Sequence, residues 1–327
     1  MSLAAYRLQL QLAVLKRTGR PIILGPWRGE VGFEVLYWLP WLSYVLSRAA
    51  MPISQVYVLS RGGAGQWYGL DKDHILDLYV LRPVDEVRRQ MQLDVQRQGK
   101  IKQYSLTAWD RGVIRQACAH WNITRPWVLD PGQMFHLFDD FWEGKRGLPD
   151  VLTQTRWDRL PKPVMQMDGL PPKFYAMRFY ARPTFKPTGD TVKFIQKVVQ
   201  GLTKRMPVVV LGTPYHLDDH VDLPFPTGDN VFMVPTVDPS EVLMQQTAVI
   251  AASQGFVGTY GGIAQLAMRL GVPSLSFYDQ WKGTLPVHRH LSEEVSHVTG
   301  VPFYTVRMND VSLWSHVWEG LSSRAVK

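Results

Sequence analysis

A chain of 327 residues is long for one hydrophobic core and favours two. Apolar residues make up 46% and charged residues 20%, an ordinary globular balance, and no uncharged apolar run of about 20 residues is present, which argues against a transmembrane helix. The net charge of +8 favours anionic partners such as nucleotide phosphates or an anionic membrane surface, while the scatter of Lys and Arg and the lack of a zinc-finger or RRM-type motif argue against nucleic acid.

The single cysteine, Cys118, rules out an internal disulfide and a multi-cysteine metal site and fits a reducing cytoplasm. No signal-peptide pattern opens the chain. Instead "AAYRLQLQLAVLKRTGR" reads as an amphipathic helix with basic residues at its end. "RPIILGP" reads as a strand and turn. A helix is then expected from Val31 to about Arg48, kinked by Pro40. "SQVYVLS" (54–60) is a second strand and "RGGAGQWYG" the loop at its carboxyl end. Residues 84–98 form a helix-like stretch, "IKQYSLT" (101–107) reads as a third strand, and "WDRGVIRQACAHW" as a helix. Strand and helix in alternation point to a parallel α/β sheet. Residues 143–173, with five prolines, read as a linker.

The alternation then restarts. Strands are expected in "KFYAMRFYAR", "PVVVLGTP", "NVFMVPT", "GFVGTYG" and "VPSLSFY", and helices in "GDTVKFIQKVVQGLTKRM", "DPSEVLMQQTAVIAAS" and "GIAQLAMRLG", with a last helix in "VSLWSHVWEGLSS". The expected architecture is α/β: two Rossmann-like parallel-sheet domains facing a cleft, spanning 1–160 and 161–305, with the helix of 306–327 packing back on the first.

Ligands of such sheets bind outside the carboxyl ends of the strands. In "VGTYGGIAQLAMRLGVPSLSFY" (257–278) a strand runs into Gly261-Gly262, which open a helix, so the backbone N–H groups there can cradle a diphosphate. Thr259 and Gln265 are placed to add hydrogen bonds. Arg178 and Arg182, at the end of an expected strand, can clamp phosphate with their planar forks. Two further loops offer donor-side groups, the competing readings being a structural loop for the first and a surface loop for the second. One is "GTPYHLDDH" (212–220) with Thr213, His216 and His220, which meets no metal signature. The other is "YDQWKGTLPVHRH" (278–290) with Lys282, His288 and His290.

The loop "LGPWRGEVGFEVLYWLP" (24–40) fits neither G-x-G-x-x-G nor a Walker loop. It carries Trp27 and Arg28, expected on the acceptor side, and two acids, Glu30 and Glu34. At i, i+4 these carboxylates would share a helix face, and crowding beside apolar walls raises one pKa toward that of a general base. The competing readings are a solvated first-turn residue for Glu30 and a buried, arginine-paired carboxylate for Glu34.

Two stretches resemble the heptosyltransferase-type glycosyltransferases of the two-Rossmann (GT-B) architecture. "FEVLYWLPWL" is similar to their first-helix motif, with Pro40 six residues after the acid Glu34. "FVGTYGGIAQLAMRLGVPSLSFY" is similar to their donor segment through Gly258, Gly262, Ala264, Leu266, Ala267, Leu270, Gly271 and Pro273. Here Glu replaces the family's Asp in the first helix, and Tyr260, Gly261 and Gln265 replace its Asp, Thr or Ser, and His. "AMRFYAR" resembles more loosely the phosphate-holding arginine strand of fucosyltransferases. The resemblance implies an inverting, metal-independent glycosyltransferase without cofactor. A nucleotide-diphosphate sugar would bind at Arg178, Arg182, Thr213, Thr259, Tyr260, Gly261, Gly262, Gln265 and Lys282. Glu34 or Glu30 would be the base toward a glycan, lipid-linked or other hydroxyl acceptor, in the cytoplasm or at the inner face of a membrane. The rivals are a nucleotide-sugar 2-epimerase and a non-catalytic sugar-nucleotide binding protein.

Overall fold

The computed structural model describes residues 6, 10, 13, 14, 17, 19–98, 102–163, 165, 168–212, 215, 221–280 and 286–310. Most of the expected N-terminal helix, Thr213, His216, His220, Lys282 and the last expected helix lie outside the described residues. Two compact units divide the chain: Met1–Pro161 with Pro239–Met244, and Lys162–Asp238 with Gln245–Lys327.

The first unit is built on a parallel sheet of order β3-β2-β1-β4, with β1 Ile22–Leu24, β2 Val56–Ser60, β3 Ile75–Asp77 and β4 Trp127–Leu129. β1 is fully buried, as its unbroken apolar run requires of a central parallel strand. Helix α1 runs from Val31 to Ala49 in three pieces: α-helical Val31–Phe33, a π-helical turn over Glu34–Trp38, and α-helical Leu39–Ala49. Pro40 accounts for the wide turn. A proline ring collides with the carbonyl four residues back in a regular helix, and the π turn relaxes that spacing, with the Leu39 N–H bonded to the Glu34 carbonyl. The expected kink is therefore a local unwinding. Short α2 (Leu78–Leu81), α3 (Val84–Gln98), α4 (Ala108–His120), α5 (Pro131–Trp142) and α6 (Leu148–Leu152) complete the unit. Residues 102–107 form no strand. They are fixed instead by the Gln103 side chain, which donates to the Pro26 carbonyl at 2.8 Å and accepts from the Arg28 N–H at 3.3 Å. Leu59, Leu78, Val113 and Ala117 form one buried core beside the sheet.

In the second unit the parallel sheet has the order β12-β11-β10-β5-β7-β9. Its strands are β5 Tyr175–Arg178, β7 Val208–Val210, β9 Val231–Met233, β10 Phe256–Thr259, β11 Ser274–Tyr278 and β12 Phe303–Arg307. A small antiparallel pair, β6 (Tyr180–Ala181) and β8 (Val221–Asp222), lies outside it. The helices are α7 (Gly189–Thr203), α8 (Val242–Ala252), α9 (Gly262–Arg269) and α10 (Pro286–Thr299). Phe179, Phe185, Phe194 and Phe277 pack together in the core under α7. Glycine at 258 is required by close approach: a Cβ there would overlap the Arg178 carbonyl oxygen on the paired strand. Each unit is thus a Rossmann-like parallel sheet. No described helix is long and apolar enough to cross a membrane.

Candidate functional site

In an open parallel sheet the ligand crevice lies where successive strands depart in opposite directions from a central one. In the first sheet β1 has β2 on one side and β4 on the other, so this point is the carboxyl end of β1 and the loop of residues 25–30. In the second sheet the point lies between β5 and β10, at Arg178 and Thr259.

The β1 loop is pinned to both neighbouring strands: the Gly25 N–H donates to the Leu129 carbonyl at 2.9 Å and the Trp27 N–H to the Leu59 carbonyl at 3.0 Å. Trp27 is fully buried between Trp38 (5.6 Å between ring centroids) and Phe135 (6.1 Å). Arg28 is 4% exposed, pairs with Asp94 at 2.9 Å and Asp110 at 3.0 Å, and lies over the Trp109 ring. Both side chains, expected toward an acceptor, are turned into the unit and hold the loop.

The two glutamates have different surroundings. Glu34, in the π turn, is 0% exposed. Its carboxylate accepts from Arg61 at 2.8 Å, from the Tyr68 hydroxyl at 2.9 Å and from the Ser60 hydroxyl at 3.3 Å. Tyr68 in turn accepts from the Trp38 indole N–H at 2.9 Å, and Arg61 also donates to the Gly29 carbonyl. Burial raises the Glu34 pKa above the usual carboxylate range, with Arg61, Tyr68 and Ser60 pulling it back. Burial and the Glu34 charge push the Tyr68 phenol well above its ordinary value. Arg61 and Tyr68 sit at the ends of the "RGGAGQWYG" loop, and Asp77 ties its middle by accepting the Gly63 N–H at 2.7 Å. Burial pushes the Asp77 carboxyl up to about 6.

Glu30 immediately precedes α1, with extended backbone and no capping hydrogen bond from its side chain. It is half-buried, and its carboxylate makes no hydrogen bond among the described residues. Its charge acts on the nearby Lys102 ammonium.

At the second crevice, Arg178 is 5% exposed and committed: its Nε donates to Asp222 at 2.9 Å and an Nη to the Gln246 side-chain oxygen at 3.4 Å. Thr259 is equally committed, its hydroxyl accepting the Tyr180 N–H at 3.0 Å and donating to the Tyr180 carbonyl at 3.1 Å. Arg182 is half-buried and donates from one Nη to the Tyr260 carbonyl at 2.9 Å, while its buried Nε has no hydrogen-bond partner among the described residues. Tyr260 is buried, which pushes its phenol up to about 12. Gln265 is buried and donates to the Ser292 hydroxyl at 3.2 Å. Gly261 precedes α9 with no side-chain cap, leaving the first N–H groups of the helix unclaimed by a capping side chain. A Cβ at 261 would come within 2.5 Å of the Arg182 Nη1, so only glycine lets this turn lie against that guanidinium. The arrangement offers backbone donors, a helix dipole and a guanidinium around one turn, the chemistry of an anion site.

His288 and His290 lie on α10. Sequence reasoning gave no role to Arg61, Tyr68, Lys102, Asp222 or Gln246. Only Arg61 carried a signal, as the charged residue opening a Gly-Gly loop after a strand.

The fold and both crevices define the class of two-sheet Rossmann-like α/β proteins. No family model matches the sequence, and no curated protein matches it. In structure the chain is similar to a glycosyl transferase family 9 protein from Veillonella parvula, with 10% identity, 92% of this chain and 89% of that one covered, and a TM-score of 0.45. It is also similar to the E. coli heptosyltransferase WaaC with ADP (13%, 90% and 99%, 0.46) and to a UDP-N-acetylglucosamine 2-epimerase described as putative from Listeria monocytogenes (12%, 84% and 82%, 0.38).

Proposed function

We propose that the chain is an inverting, metal-independent glycosyltransferase that moves a sugar from a nucleoside-diphosphate sugar to an acceptor hydroxyl. The observation that carries this reading is the turn at Gly261-Gly262, where an uncapped helix N-terminus and Arg182 converge at the switch point of the second sheet. The leaving diphosphate is received there by the first N–H groups of α9 and by Arg182, which together supply the positive charge that a divalent ion provides in other enzymes. Arg178 acts by holding Asp222 and Gln246 beneath this turn, and Thr259 by fixing β10 to Tyr180. Tyr260 and Gln265 shape the walls, and Thr213 and Lys282 join the donor site on the strength of their loops alone.

Of the two acids, Glu30 is the reachable base. It takes the proton of the acceptor hydroxyl, the oxygen forms its bond to the anomeric carbon, and the bond from that carbon to the diphosphate breaks on the opposite face, its electron pair leaving with the phosphate. Glu34, fully enclosed by Arg61, Tyr68 and Ser60, serves by locking the loop after β2 and the π turn to each other. Trp27 and Arg28 fix the loop that carries Glu30. The acceptor is a glycan, lipid-linked or other hydroxyl compound. The net charge of +8 suits a cytoplasmic protein that works against the anionic inner face of a membrane.

The test is a panel of nucleotide sugars with and without hydroxyl acceptors, scored by release of nucleoside diphosphate. Acceptor-dependent release that falls roughly 100-fold or more in Glu30→Gln supports the reading. Conversion of the sugar nucleotide without any acceptor, or nucleotide binding with no turnover across the panel, overturns it.

A further inference from the structure

Lys102 is a half-buried cation beside the loop that carries Glu30. Its ammonium lies 2.9 Å from the centroid of the Phe33 ring, with Trp142 at 5.1 Å and Phe135 at 5.9 Å, so three aromatic faces line one side of it. It makes no hydrogen bond among the described residues. The charges of two carboxylates act on it, those of Glu30 in the loop before α1 and Asp139 on α5. Asp139 is already engaged, accepting from the Tyr104 hydroxyl and lying 3.9 Å from the His136 ring, with Glu143 at the end of the same helix. Glu30 is the carboxylate without a hydrogen bond among the described residues. Ammonium and carboxylate interact by charge, with no direct ion pair among the described residues. Their backbones are held in fixed relation, because Gln103 bonds the residue after Lys102 to the Pro26 carbonyl and the Arg28 N–H of the Glu30 loop.

A buried lysine normally closes onto a carboxylate in reach, since an unpaired ammonium in apolar surroundings is costly. Here the ammonium lies against the rings instead, with no direct ion pair to Glu30 among the described residues. A hydroxyl placed between the two can donate its proton to the carboxylate and accept from the ammonium, filling both vacancies at once. We propose that Lys102 is a second catalytic group of the first unit, donating a hydrogen bond to the acceptor hydroxyl oxygen while Glu30 takes its proton. This rests on the glycosyltransferase reading above. The proton passes from the hydroxyl to Glu30 and the oxygen electron pair goes to the anomeric carbon. Lys102 keeps its own proton and stabilises the negative charge that grows on the oxygen. Burial supports the assignment by lowering the Lys102 pKa to about 8, with Glu30 and Asp139 opposing the drop. The ammonium form is therefore present at neutral pH and lost in mild alkali.

The experiment has two arms. In the first, the full-length protein is labelled with 13C-lysine and titrated without substrate, the Lys102 signal being assigned by its loss in Lys102→Arg. Titration near pH 8 that moves to lower pH in Glu30→Gln is expected, and a signal that Glu30→Gln leaves unmoved overturns the proposal. The second arm follows sugar transfer against pH. Wild-type kcat should fall as pH rises through about 8, Lys102→Met should lose about 100-fold in kcat with the KM for donor unchanged, and Lys102→Arg should carry its residual activity on to higher pH. Transfer by Lys102→Met at the wild-type rate overturns the proposal. A wild-type protein that couples the two titrations yet transfers no sugar overturns the wider reading and the hydroxyl role together, so the two failures are distinguishable.

Discussion

At the scale of single residues, the two acids of the β1 loop separate by what surrounds them. Glu34 has its carboxylate on Arg61, Tyr68 and Ser60, with no exposure. Removing one partner of such a pair leaves the other charge buried and alone, which costs about 3–5 kcal/mol. Glu34→Ala is therefore expected to lose about that much stability in urea denaturation, while Glu30→Gln, which breaks no hydrogen bond, should stay within about 0.5 kcal/mol of wild type. Equal stability of the two variants would refute the division of labour between them. Lys102 makes the opposite prediction. Its folded pKa of about 8 lies below its ordinary 10.5, so between those values the unfolded chain binds the extra proton and stability rises with pH. Below pH 8 the folded state carries a charge it would rather lose. Lys102→Met is thus expected to stabilise the protein at pH 7 by about 2 kcal/mol after allowance for the lost cation–π contact. That advantage should shrink as pH rises from 8 to 10.5. A substitution that stabilises the fold yet slows turnover about 100-fold is the mark of a residue kept for function.

Among the elements, β10, its turn and α9 illustrate how neighbouring glycines carry different loads. The Cβ of Gly258→Ala would meet the Arg178 backbone, which cannot move without breaking the β5–β10 pairing, and a loss of at least about 2 kcal/mol in thermal unfolding is expected. The Cβ of Gly261→Ala would meet no backbone, only the hydroxyl of the buried Tyr180 ring and the end of the half-buried, flexible Arg182 side chain, which can yield. That variant should fold and yet lose about tenfold or more in calorimetric affinity for nucleoside diphosphate, because Arg182 is pushed off the turn. Intact affinity would remove Arg182 and Gly261 from the donor site. Both glycines were legible in the sequence because strand, glycine turn and amphipathic helix follow one another locally. The β1 loop, the helix from Val31 and the alternation from residue 173 to 278 were legible for the same reason, whereas helix Pro286–Thr299 and strand Phe303–Arg307 were not. What local pattern could not give was partnership. Residues 101–107 carry the alternation of a strand, but 102–107 are bound by the Gln103 side chain rather than by a neighbouring strand backbone. Three-residue β3 and β4 are too short to show a period, and α5 was passed over although Asp130 caps its first turn and Pro131 begins it. Arg61 on Glu34 and Asp222 on Arg178 pair across 27 and 44 residues of sequence, a choice made only when the sheets assemble.

For the whole molecule, the division of the chain is not a single cut. Pro239–Met244 belongs with the first unit although second-unit sequence flanks it on both sides. Its contribution there is specific: the N–H groups of Leu243 and Met244 both donate to the Gly62 carbonyl, at 2.7 and 3.0 Å. Gly62 adjoins Arg61, the cation that fixes Glu34, so a segment far away in sequence covers the loop on which the buried carboxylate depends. Residues 1–161 produced alone would keep the four-stranded sheet, its helices and the Arg61–Glu34 pair, but would leave the Gly62 carbonyl and the Leu243 packing site to water. Local opening is set by just such contacts around a loop. Hydrogen exchange of the backbone from 61 to 69 is therefore expected to be faster in the fragment than in the intact chain, while exchange in β1 and β2 is nearly unchanged. Because Arg61 anchors the π turn through Glu34, faster exchange should extend to residues 34–38 and weaken the framework behind Glu30. Equal protection of the 61–69 loop in fragment and intact chain would mean that the segment merely rests on the first unit, and that the order of this loop comes from Arg61 and Asp77 alone.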